Sequence, residues 1–159
     1  MNVFLADEQA EPVDGSAIRS LVAGVLEAEG YPSDTEVAVL LVSEEQIAEH
    51  NRRFLEREGP TDVLAFPLEE LTPGRPPRPA GNGPPLALGD VILAPAYLRR
   101  QAGDLGVRFD EELALTVVHG VLHLLGYDHQ EDDEAGVMEA RERMLLAGHR
   151  GGAPRGRQA

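Results

Sequence analysis

The chain has 159 residues, no cysteine and a formal net charge of −14, and all 14 of its basic residues are arginine. That length supports one hydrophobic core without covalent staples, and the lack of thiols excludes disulfides and thiolate metal sites, so a bound metal must use nitrogen and oxygen ligands. The acidic balance opposes long-range attraction of polyanions, no apolar run approaches the ~20 residues of a membrane span, and the acidic N-terminus is unlike a signal peptide, so a soluble cytoplasmic protein is expected.

Residues 2–6 read as an opening strand, and 16–29 as an amphipathic helix whose Ile18, Leu21, Val22, Val25 and Leu26 recur at helical spacing. The valine-rich, nearly continuous apolar run over 35–42 suits a central strand covered on both faces. Ser43, with Gln46 three residues on, forms a capping box that opens a helix to about Leu55. Strand, helix, strand in this order implies parallel pairing. Two more strands are expected at 62–67 and 89–93, separated by a proline- and glycine-rich loop over 71–85 that carries Arg75 and Arg78. Residues 95–103 and 110–125 read as helices, the second apolar nearly all round and therefore buried. A last helix spans 132–147 with an acidic start that suits its dipole, and 148–159 read as a disordered tail. The expected architecture is a single α+β domain over 1–147, with a mixed sheet of about four strands and helices packed against it.

The buried helix carries the chemistry. His119-Gly120-Val121-Leu122-His123-Leu124-Leu125-Gly126-Tyr127-Asp128-His129 has the spacing H-x3-H-x2-G-x2-H. Residues four apart share a helix face, so His119 and His123 can turn toward one ion, and a left-handed Gly126 would end the helix and bring back His129 as a third nitrogen. Three neutral imidazoles suit zinc and leave a fourth tetrahedral position for water, the pattern of a catalytic metal site. His50, on a polar helical stretch, and His149, in the tail, read as solvated. The spacing matches the metzincin protease signature except that Gly120 replaces the glutamate serving there as general base, which argues against a peptidase. Zinc-bound water can still have a pKa near ~7 without a protein base.

With this motif in view, the chain resembles the YbeY family of bacterial zinc-dependent endoribonucleases. Pro60-Thr61-Asp62-Val63-Leu64-Ala65-Phe66-Pro67 is similar to the family's second signature, usually ending in Ser-Phe-Pro, and Leu88-Gly89-Asp90-Val91-Ile92 to its third. The acidic run 131–134 continues the family pattern, and the likeness spans about 35–147. The resemblance implies one zinc per chain held by His119, His123 and His129. It also implies single-strand-specific RNA cleavage in maturation of the 3′ end of 16S rRNA and in ribosome quality control. The implied partners are single-stranded and ribosomal RNA and the small ribosomal subunit, with neither DNA nor membrane.

In the second and third signatures, Asp62 and Asp90 read as residues that end turns and launch strands, and Asp128 as either an acceptor for an imidazole N–H or a loop aspartate. One departure from the family pattern stands out. Members commonly carry an arginine four residues after the asparagine matched here by Asn51, and this chain has Leu55 there. Arg52 lies one turn before that position on the same helix face and is the candidate replacement cation, with Arg53 displaced by about 160° around the axis. A non-catalytic, zinc-stabilised ribosome-assembly factor is the alternative reading, and a zinc peptidase is the third.

Overall fold

The computed structural model describes residues 1–77, 83–128 and 130–151. Its elements in chain order are β1 (Asn2–Asp7), α1 (Gly15–Ala28), β2 (Glu36–Leu41), α2 (Glu44–Leu55), β3 (Val63–Pro67), β4 (Ala87–Leu93), α3 (Pro95–Leu105), α4 (Phe109–Leu124) and α5 (Asp132–Gly151). The result is an α+β fold on a four-stranded mixed sheet of order β1-β2-β4-β3. β1, β2 and β4 run parallel, and β3 closes one edge antiparallel to β4, with Val63 opposite Leu93 and Pro67 opposite Gly89.

Alternation along the strands divides the interior into two layers. Val37, Val39 and Leu41 of β2 point into the main core with α1, α4 and α5, whereas Leu40 and Val42 point to the opposite face, where Ile47 of α2 packs with Leu64, Ile92 and Ala94. The central strand is thus covered on both sides, as its unbroken apolar sequence requires. On α1, all five residues at helical spacing are buried. The capping box of α2 forms in full, with Ser43 Oγ accepting from the Gln46 N–H and the Gln46 side chain accepting from the Ser43 N–H.

The last helix departs from expectation. It runs four residues beyond Ala147, to Gly151, so 148–151 are helical rather than part of a disordered tail, and 152–159 lie outside the described residues. Leu145 and Leu146 are buried, and the following turn stays against α1, where Gly148 and His149 line one cavity with Leu21, Gly24 and Val25. Tertiary contact therefore holds helical a segment whose glycines weaken it locally. No helix among the described residues is long and apolar enough to cross a membrane.

Candidate metal centre

α4 lies directly on the sheet. At Gly120 a Cβ would stand 2.8 Å from Val91 Cγ1 and 3.1 Å from Val63 Cγ2, so a hydrogen there lets the helix settle onto β3 and β4. This changes the meaning of the residue: position 120 faces the sheet, and a glutamate placed there would enter the core instead of standing beside the histidines.

With Gly120 turned inward, His119 and His123 emerge together on the flank of α4. Their Nε2 atoms are 3.2 Å apart, with ring planes inclined by 79°. Two nitrogens bound at about 2.0–2.1 Å to a tetrahedral zinc stand about 3.3–3.4 Å apart, so the pair already has the spacing that a shared ion demands. The other nitrogen of His119 is engaged. Its Nδ1–H donates to Glu142 Oε2 at 2.5 Å, and the Glu142 side chain is 8% exposed. A carboxylate accepts, so the proton resides on Nδ1 and the Nε2 lone pair faces His123.

The chain after α4 is fixed as tightly. Tyr127 N–H donates to Leu122 C=O and Gly126 N–H to His123 C=O, both at 3.1 Å, while Gly126 adopts φ +98°. This is a Schellman closure, and Gly126 is required twice, since a Cβ there would also collide with the Leu71 carbonyl. Tyr127 then anchors the turn: its hydroxyl donates to Glu29 Oε1 at 2.5 Å, and Glu29 is also held by Arg141 through Nε at 2.7 Å. Burial first, and then the hydrogen bond to Glu29, push the Tyr127 phenol up to about 12. Asp128 follows, half-buried, and His129 lies outside the described residues. The structure therefore brings together two of the three expected nitrogens, and among the described residues no group of three or more His, Cys, Asp or Glu is arranged to hold a metal.

A model of the endoribonuclease YbeY family matches residues 4–150 of the chain. A protein named endoribonuclease YbeY from Thermobifida fusca is 41% identical over 150 residues, covering 94% of this chain and 95% of its own length. Another so named, from Salinispora tropica, is 40% identical over 152 residues, covering 94% and 97%. The chain belongs to the endoribonuclease YbeY family. A solution structure of a Thermotoga maritima protein superposes with a TM-score of 0.61 at 29% identity, covering 91% of this chain and 86% of that one.

The other family signatures frame α4. Asp62 Oδ1 accepts from the Val63 N–H at 2.8 Å, and Gln101 Nε2 of α3 donates to Asp62 Oδ2 at 3.3 Å and to the buried Glu112 of α4 at 2.7 Å, so Gln101 links Asp62, at the start of β3, to α4. Asp90 is exposed on β4 opposite Phe66. Arg52 does not present a spare cation. Its guanidinium meets both oxygens of Glu49 at 2.6 and 2.7 Å, and hydrogen bonding to Arg52 holds the Glu49 carboxyl below its ordinary value. Arg53 makes no ion pair among the described residues and lies 5.7 Å from the centroid of the Phe54 ring. Leu55 is 44% exposed, and Arg75 lies on the loop, while Arg78 is outside the described residues. His50 is half-buried against Phe54, and His149 is exposed at the end of α5.

Glu142 and the Glu29–Arg141 pair do not emerge from any sequence motif. A signal for Glu142 exists nonetheless: it shares the inner face of α5 with Met138, Leu145 and Leu146, and a carboxylate buried at such a position requires a partner.

Proposed function

We propose that the His119–His123 flank of α4 is the metal centre of a zinc-dependent endoribonuclease. The observation that carries this reading is the facing Nε2 pair, set 3.2 Å apart and oriented by a buried carboxylate, in a chain of the endoribonuclease YbeY family. His119 and His123 would hold the ion, with His129 completing the set from the turn that Gly126 and Tyr127 direct. Zinc, when bound, supplies Lewis acidity toward a phosphodiester oxygen or the attacking water.

The protein's part is to keep that centre in one geometry. Glu142 holds the His119 proton on Nδ1 and leaves Nε2 to the metal, the Glu29–Arg141 pair fixes the turn through Tyr127, and Gly120 keeps α4 seated on the sheet. The substrate is single-stranded RNA, and the place of action is the 3′ end of 16S rRNA on the small ribosomal subunit in the cytoplasm, in maturation and quality control. Family membership supports this finer reading. Incubating a labelled single-stranded RNA with metal-loaded protein tests the activity: cleavage that a chelator stops is expected. Intact RNA with stoichiometric zinc still bound would favour the non-catalytic assembly factor.

A further inference from the structure

The α2 face of the sheet carries an aromatic group that the metal centre does not use. Phe54, in the last turn of α2, is 57% exposed. The His50 ring stacks on it with centroids 5.9 Å apart and planes inclined by 18°, and Phe66 of β3 meets it edge-on at 5.6 Å. The site is held in place. Asn51, only 5% exposed, donates from Nδ2 to the Gly59 carbonyl at 3.0 Å, and its own carbonyl accepts from the Arg57 N–H at 3.2 Å, locking the turn that follows Phe54.

The Arg53 guanidinium lies 5.7 Å from the centroid of this ring, and Arg57 follows on the turn after α2. Arg53 and Arg57 make no ion pair among the described residues, whereas Arg52, Arg99, Arg100, Arg108 and Arg141 are each paired with a carboxylate. Glu56 and Glu58, on the same turn, lie beyond ion-pair distance of either. An exposed aromatic ring beside arginines that no carboxylate holds in an ion pair is the chemistry that binds single-stranded nucleic acid, because every base has a π-face and the arginines meet the phosphates.

The position suits the same strand that the metal centre would cut. β3 is the sheet edge, with Val63 and Ala65 turned to the α4 side and Leu64 and Phe66 to the α2 side. An RNA strand lying across that edge would pass from the α4 side, which carries the His119–His123 flank, to the α2 side, which carries Phe54. We propose that Phe54, backed by His50 and Phe66, is a stacking platform for an unpaired nucleobase of single-stranded RNA, with Arg53 and Arg57 engaging the neighbouring phosphates. This rests on the endoribonuclease reading and adds a physical source of strand selection, since a paired base in a duplex has no face to offer.

The chain has no tryptophan, so Phe54→Trp installs a single indole reporter in the full, metal-loaded protein. Its emission should be quenched by a single-stranded oligoribonucleotide, and much less by a duplex or by the same strand made abasic. Phe54→Leu keeps an apolar side chain but removes the π-face. It should raise KM for single-stranded RNA on the order of tenfold, with zinc content and melting temperature at parental values. Arg53→Gln should lower the slope of log affinity against log salt by about 0.7. An indole that does not respond to RNA in a Phe54→Trp protein that still cuts it overturns the platform and leaves the endoribonuclease reading intact. Parental KM in Phe54→Leu, or equal quenching by the abasic strand, overturns it too. A parent protein that neither binds nor cuts RNA overturns both.

Discussion

The two faces of the sheet carry their polar groups on opposite terms. On the α4 face the groups around the histidine pair fix one another: His119 is held by Glu142, and Glu29 by Tyr127 and Arg141, with the carboxylates 8% and 5% exposed. On the α2 face, Arg52 and Glu49 pair in open solvent at 57% and 53% exposure, and Phe54 stands largely uncovered. A buried, fully partnered network resists rearrangement because breaking one bond strands the other group, whereas an exposed pair exchanges freely with water. The difference separates a face suited to the proposed single-geometry ion site from a face able to adapt to the proposed flexible strand.

The strongest way to break this comparison is to remove the nitrogens. Replacing His119 and His123 together with alanine should reduce zinc in the purified protein to background and abolish RNA cleavage. It should also make the melting temperature indifferent to chelator. In the parent, chelation should remove a stabilisation of about 2.7 kcal/mol at a hundredfold excess of free metal over Kd. Unchanged metal content in the double variant would place the site elsewhere.

Position 120 tests how closely α4 is seated on the sheet. Gly120→Glu should cost several kcal/mol in urea melts, a large share of the roughly 5–15 kcal/mol that stabilises a domain, because a charge would be driven between Val63 and Val91. Gly120→Ala should cost about 1–3 kcal/mol from overpacking, partly offset by about 1 kcal/mol of helix propensity. Parental melting of Gly120→Glu would mean that the side chain escapes to solvent and that the close approach is dispensable.

Glu142 sharpens the contrast, since it would act on a bound metal only through His119. Glu142→Ala should weaken zinc binding about 10- to 100-fold in competition with a chelator. Glu142→Gln should recover part of that loss, because an amide oxygen can still accept the Nδ1 proton. Equal affinities in all three proteins would reduce Glu142 to a packing role.

The smallest effect is expected on the α2 face at Arg52. Its charge is already answered by Glu49 in open solvent, where such a pair contributes little, so Arg52→Ala should change kcat for RNA by less than about twofold. A tenfold or larger fall at parental zinc content and melting temperature would show that Arg52 leaves Glu49 to meet the phosphate, reinstating it as the cation that stands in for the arginine missing at Leu55.

Much of this was written locally. The core face of α1, the capping box of α2, the burial of α4 and the glycine closure at Gly126 depend on residues within a turn or two of each other, so periodicity and cap chemistry reveal them. The facing of His119 and His123 is equally local, because four residues of helix place them one above the other. The Glu49–Arg52 pair was also legible, as an i,i+3 couple. It competes with the phosphate role that helix geometry suggested for Arg52. The end of α2 was less so: Glu56 takes φ +55° where no glycine marks the stop, held by the carbonyl of Asn51.

Tertiary structure decided the rest. The antiparallel entry of β3 at the sheet edge, the contact of Gly120 with Val63 and Val91, and the persistence of α5 to Gly151 all depend on which elements meet. Glu142 reaches His119 across 23 residues, and Glu29 reaches Tyr127 across 98. The sequence by itself determined which helices form, where they cap and which nitrogens one helix presents. Only the fold determined which carboxylates orient them, because partners so far apart along the chain are selected by the packing of the whole core and not by any local conformational preference.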